Sequence, residues 1–277
     1  MNSGSVESFA SSKRPGTILS TSRVSAFMIH VLAAIAMIPD RPEPGFPAVG
    51  QFASSPDGGG IGNGVAIAPR WVLSCGHGEG AAYWLQSGKH FKIKRRVAGK
   101  MAGSPIDLAL YELETSVKEF VPPLFLPFEG KSGLRGKEVR LVGFGETGIP
   151  FDYGYDGRQR TGGKKRFVTN ALDSTMLFTA YAPFRTQVLV YDIDNPNRKD
   201  RGSLGGVATP FEGGIGNGDS GSPWLLKVKG KWAVVGISVY TMGDPKGGPH
   251  AFAWGAQGAG ADLYSYRDWI RKTISTA

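Results

Sequence analysis

One cysteine, Cys75, stands among 277 residues, which excludes a disulfide within the chain and any multi-cysteine zinc site. Stability must come from core packing instead. The missing bridges leave the compartment open, because a well-packed bacterial secreted protein can also do without them. Histidine is scarce as well, with four in the chain, and no cluster of His, Asp and Glu reads as a metal site. Glycine is abundant, at 41 residues, but lacks the three-residue period of collagen. No solenoid or propeller repeat occurs, and no long helical pattern precedes the C-terminus. A hydrophobic share of 41% with 20% charged residues belongs to a folded chain rather than a disordered one.

Short apolar or alternating runs recur between Gly, Pro and Asn turns: "GVAIA", "WVLSC", "DLALYEL", "VRLVGF", "QVLVYDI" and "WAVVGISVY". Such runs predict an all-β protein. "GVAIA" and "WVLSC" flank Pro69-Arg70 and read as a hairpin. Residues 121–138, with three prolines, interrupt the rhythm and mark a crossing between two halves. Near the C-terminus, Ser265 followed by Asp268 suits a helix start, and Tyr266, Trp269, Ile270 and Ile274 share one helical face.

Residues 1–38 read as a leader. A Ser/Gly-rich basic flank precedes the apolar residues 24–38, a run of fifteen that is short for a transmembrane helix, with a small-x-small site at Ala34-Ile35-Ala36. The pattern predicts a secreted protein; a cytoplasmic one with a disordered leader is the alternative.

Three local strings bear on chemistry. A serine hydroxyl needs a base, and the base needs an orienting partner. Ser220 lies in "GDSGSP", a glycine-flanked turn. His77 follows a core strand in "WVLSCGHG", anchored yet able to emerge, whereas His30 lies in the leader, His90 among lysines and His250 in a Gly-Pro loop. Asp107 precedes the apolar "LALYEL", where a lone acid is expensive to bury without a partner. Cys75 reads as a small buried group.

These strings resemble the trypsin/chymotrypsin-type serine endopeptidases in their bacterial, disulfide-free form. "WVLSCGHG" is similar to the strand before the family's catalytic histidine, "DLALYEL" to its aspartate segment, and "GDSGSP" to its nucleophile turn. "VGFG", "VVGISVY" and "GADLYSYRDWI" extend the likeness over residues 46–274. The resemblance implies two six-stranded antiparallel β-barrels with a C-terminal helix. The first covers about residues 45–120 and the second, with the helix, about residues 139–277, in one protease domain spanning 39–277.

It further implies peptide-bond hydrolysis through an acyl-enzyme. Ser220 is then the nucleophile, His77 the base and Asp107 its orienter, with the backbone N–H groups of Gly218 and Ser220 as the oxyanion hole. Asp219 corresponds to the family's partner of a freshly cut apolar N-terminus, which falls at Ile35, Met37 or Ile38; signal cleavage after Ala36 is one way to release it, at Met37. The family's Ile-Val-Gly-Gly start is absent. The substrate pocket maps onto Gly214, Ile215, Asn217, Val239, Tyr240 and Thr241, with no acid at Gly214, implying small or apolar preference.

No cofactor and no metal is expected, and a monomer with no membrane span acts on polypeptide. The charge of +9 gathers at "KHFKIKRR", "RQRTGGKKR" and "NRKDR". These read as solvated loops, or as contacts to an anionic partner in the alternative of a catalytically silent, protease-fold binding protein. No nucleic-acid motif accompanies them. A lipase-like hydrolase is disfavoured, since it needs the order Ser, acid, His.

Overall fold

The computed structural model describes residues 45–54, 60–118, 133–145, 147–151, 154–159, 164–197, 204–243 and 253–276. The expected leader, most of the crossing segment, and parts of "RQRTGGKKR" and of "NRKDR" lie outside them, as does His250.

Six strands close into an antiparallel barrel: β1 (Val49–Ala53), β2 (Gly60–Ala68), β3 (Trp71–Ser74), β4 (Ala82–Leu85), β5 (His90–Met101) and β6 (Ser104–Leu113), in the order β1-β2-β3-β6-β5-β4. Pro69-Arg70 turns β2 into β3, so that Ala68 pairs with Trp71. β6 is buried continuously from Ile106, as its unbroken apolar run requires. On β5, half-buried Phe91, Ile93 and Val97 are separated by exposed basic residues. Those charges are partly neutralised, because Lys94, Arg95 and Arg70 all converge on Glu112 of β6. The Lys94 ammonium, and then Arg95, hold that carboxyl below the usual range. The basic strand is therefore less free for an anionic partner than its charge alone indicates.

The second half departs from the six-stranded barrel expected. Its sheet has seven antiparallel strands: β7 (Glu138–Gly143), β10 (Arg166–Ala171), β11 (Ser174–Phe178), β12 (Thr186–Asp192), β13 (Pro223–Val228), β14 (Lys231–Met242) and β15 (Gln257–Asp262). They lie in the order β10-β7-β13-β14-β15-β12-β11, without pairing between the end strands. A side chain spans part of the gap instead: Asn170 Nδ2 on β10 donates to Asp192 O of β12 (2.9 Å), to Glu212 Oε1 (2.7 Å) and to Gly213 O (2.9 Å). Ahead of and overlapping "RQRTGGKKR", read as a solvated loop, lies a separate hairpin of β8 (Thr147–Phe151) and β9 (Gly154–Gln159).

The helix α1 (Leu263–Ser275) starts earlier than Ser265. Its cap is Asp262, whose Oδ1 accepts from Tyr264 N at 3.1 Å and whose Oδ2 accepts from Ser265 Oγ at 2.8 Å. Tyr266 and Ile270 are buried, while Trp269 and Ile274 pack half-buried on the core. Among the described residues no helix is long and apolar enough to cross a membrane.

Behind β12 lies a group of buried acids. Burial pushes Glu212 up to about 8, and burial with Asp192 alongside pushes Asp173 to about 7 and Asp194 to about 6. Between the ordinary carboxylate range and these values the folded chain holds protons that the unfolded chain has released. The sign of linkage therefore makes stability fall as pH rises through that interval. Melting temperature is expected to drop between pH 5 and pH 8, and Glu212→Gln to flatten part of that slope. A melting temperature that rises over this interval would contradict the assignment.

Candidate active site

β3 pairs with β6 so that Ser74 faces Ala109. The chain leaving β3 through Cys75 and Gly76 therefore brings His77 alongside Asp107. Asp107 is fully buried and well supplied with donors: its Oδ1 accepts from Gly76 N (2.7 Å) and His77 N (2.8 Å). Its Oδ2 lies 2.8 Å from His77 Nδ1. The Asp107 N–H donates to Thr186 Oγ1 of β12 at 2.8 Å, tying the barrel to the second sheet. This arrangement fixes the tautomer, with Nδ1–H donating to the carboxylate and Nε2 left as acceptor.

That acceptor lies 2.9 Å from Ser220 Oγ, 143 residues away in sequence. Ser220 is half-buried in the turn before β13, and His77 Nε2 also meets Cys75 Sγ at 3.6 Å. The cysteine is buried as expected, but it also touches the ring that Ser220 contacts. Burial pulls the imidazole pKa down; the neighbouring Cys75 sulfur and the hydrogen bond to Asp107 outweigh it, so the ring keeps its proton above the usual 6.5.

The other expected positions divide. Gly218 is exposed, with φ +81°, a left-handed conformation that favours glycine. Asp219 is fully buried, its Oδ1 accepting from Gly145 N at 2.9 Å. Its Oδ2 has no hydrogen-bond partner among the described residues, and burial pushes the carboxyl up to about 7. Gly214 and Ile215 lie over Tyr191, whose hydroxyl accepts from Ile215 N at 2.7 Å. A Cβ on Gly214 would stand 2.8 Å from Ile193 Cδ1 and 3.1 Å from that hydroxyl. Asn217 and Thr241 are half-buried, and Val239 is buried.

Tyr240 stands beside the imidazole rather than only along a pocket wall. Its ring stacks toward His77 at 6.4 Å between centroids, and Tyr181 meets the same imidazole edge-on at 5.9 Å. Phe178 packs on Tyr240 at 4.1 Å. Tyr181, Phe178, Thr186 and Asn63 escaped the sequence reading. An aromatic or a lone polar residue in a strand looks like core or turn until the partner strand is known.

Among the described residues no group of three His, Cys, Asp or Glu side chains could hold a metal ion. The constellation can polarise a hydroxyl, take up its proton and stabilise the resulting imidazolium. No protein-family model matches the chain, and no curated protein matches it.

Proposed function

We propose that this chain is a serine endopeptidase of the trypsin/chymotrypsin type, built as two β-barrels of which the second sheet is the more open. The observation that carries the reading is the relay Ser220 Oγ to His77 Nε2 at 2.9 Å and His77 Nδ1 to Asp107 Oδ2 at 2.8 Å. Three side chains from distant parts of the sequence meet there in the order that general-base catalysis requires.

Ser220 Oγ adds to the substrate carbonyl as its proton passes to His77 Nε2. The tetrahedral oxyanion is held by the N–H groups of Gly218 and Ser220. The C–N bond then breaks, and His77 returns the proton to the leaving amine. Water, deprotonated by the same imidazole, releases the acid from Ser220. Asp219 takes no part in proton transfer; its Oδ2, without a partner among the described residues, fits the amine of a processed N-terminus. Tyr191 beneath Gly214 supports a shallow primary pocket suited to small or apolar side chains.

Hydrolysis of casein by the processed protein tests the reading. Wild type should release peptides, and Ser220→Ala should not; equal release by both would contradict it.

A protonated ring cannot accept the Ser220 proton, so activity should rise with pH through a midpoint above 6.5. Cys75→Ala removes one of the groups that raise the imidazole, so the midpoint should move to lower pH. A pH–rate profile unchanged by that substitution would count against the thiol contact.

A further inference from the structure

Asn63 is the point at which the barrel grips the Ser220 turn. It lies within β2 opposite Gln51 of β1 and is wholly buried. Its backbone N–H donates to Ser220 O at 2.7 Å, and its carbonyl accepts from Ser74 Oγ at 2.6 Å. Its side-chain Nδ2 donates to Gly218 O. The opposite orientation of the amide would set two acceptors, Oδ1 and Gly218 O, against each other. Oδ1 has no hydrogen-bond partner among the described residues. A residue kept for packing alone would not leave a buried amide oxygen unpaired, since that is costly.

We infer that the Asn63 side chain is a positioning residue for the oxyanion hole, holding Gly218 O so that the N–H groups of Gly218 and Ser220 face the same point. Gly218 has no side chain to resist rotation of the peptides beside it. Asn63 anchors the turn at both ends, Gly218 O through its amide and Ser220 O through its backbone. Asp219 N, between them, donates to Gly216 O at 2.9 Å and closes the loop from the other side. With Gly218 O released, the turn has freedom to misdirect its donors, and preorganisation is what such a hole contributes. The inference rests on Ser220 being the nucleophile.

The test compares rates of covalent labelling by a fluorophosphonate for wild type, Asn63→Ala and Asn63→Asp. Every variant keeps the backbone bond to Ser220 O. Asn63→Ala should label about 10- to 100-fold more slowly, a smaller loss than deleting an oxyanion donor outright. Asn63→Asp should be slower still at neutral and alkaline pH, because a carboxylate would face Gly218 O.

Its rate relative to wild type should recover as pH falls, when the introduced carboxyl gains an O–H that can donate to Gly218 O. A His77 pKa raised by the introduced carboxylate would make the ratio fall as pH falls, the opposite direction, and a packing role would not produce this recovery. Should Asn63→Ala not fold, the isosteric Asn63→Asp ratio decides alone. Labelling of wild type with unchanged rates in the variants, or a flat ratio, would overturn the inference and leave the nucleophile reading intact. No labelling of wild type removes both.

Discussion

Asp107→Asn should lower kcat about 10⁴-fold at neutral pH while KM stays near its wild-type value. The asparagine oxygen can keep the acceptor place of Oδ1 toward Gly76 N and His77 N, so the local backbone is preserved. Its amide nitrogen then occupies the place of Oδ2, 2.8 Å from His77 Nδ1. Two donors cannot face each other, so the ring adopts the tautomer with Nδ1 bare and Nε2 protonated. Nε2 can no longer receive the Ser220 proton. Steady-state kinetics on a cleaved peptide check this, and a variant within tenfold of wild type would show that Asp107 does not set the tautomer.

Gly221→Ala should cost about 3 kcal/mol or more and abolish activity. Gly221 has φ +84°, and an added Cβ would lie 2.0 Å from Asn63 O and 2.2 Å from Ser74 Oγ. Both neighbours belong to the barrel wall, so neither can move without parting the barrel from the turn. For a chain of this size the expected loss in melting temperature is roughly 6–12 °C. Gly218→Ala is the control. Its φ is similar, but the nearest atom to the added Cβ is Gly145 Cα at 3.3 Å, so the cost should be mostly conformational, about 1–2 kcal/mol. Equal melting temperatures for the two variants would mean that the close approach at Gly221 is not the limiting contact.

His77, Asp107 and Ser220 stood out in the sequence because each lies beside or within an apolar strand in a short, distinctive string. Their convergence was expected from the family resemblance alone, since no single string carries it. It depends on Ser74 facing Ala109, on Thr186 meeting the Asp107 backbone and on Asn63 bonding Ser220, all contacts between strands far apart in sequence. The helix was readable from Tyr266 and Ile270, yet its true cap, Asp262, is the last residue of β15 and carries no separate mark of a helix start. Strand number in the second sheet escaped for a related reason: each of its runs reads as a strand, but pairing at the ends leaves no periodic mark on either partner. The buried acids Asp173, Asp192 with Asp194, and Glu212 lie in three separate segments that only the fold gathers. The role of Tyr191 under Gly214 was hidden in the same way, behind a strand that reads as ordinary core.

The most direct measurement is mass spectrometry of the processed protein after fluorophosphonate treatment at mildly alkaline pH. The relay predicts one phosphonyl adduct, on the peptide containing Ser220, lost in Ser220→Ala and in His77→Ala. No adduct on active-form protein, or an adduct formed equally well without His77, would contradict it.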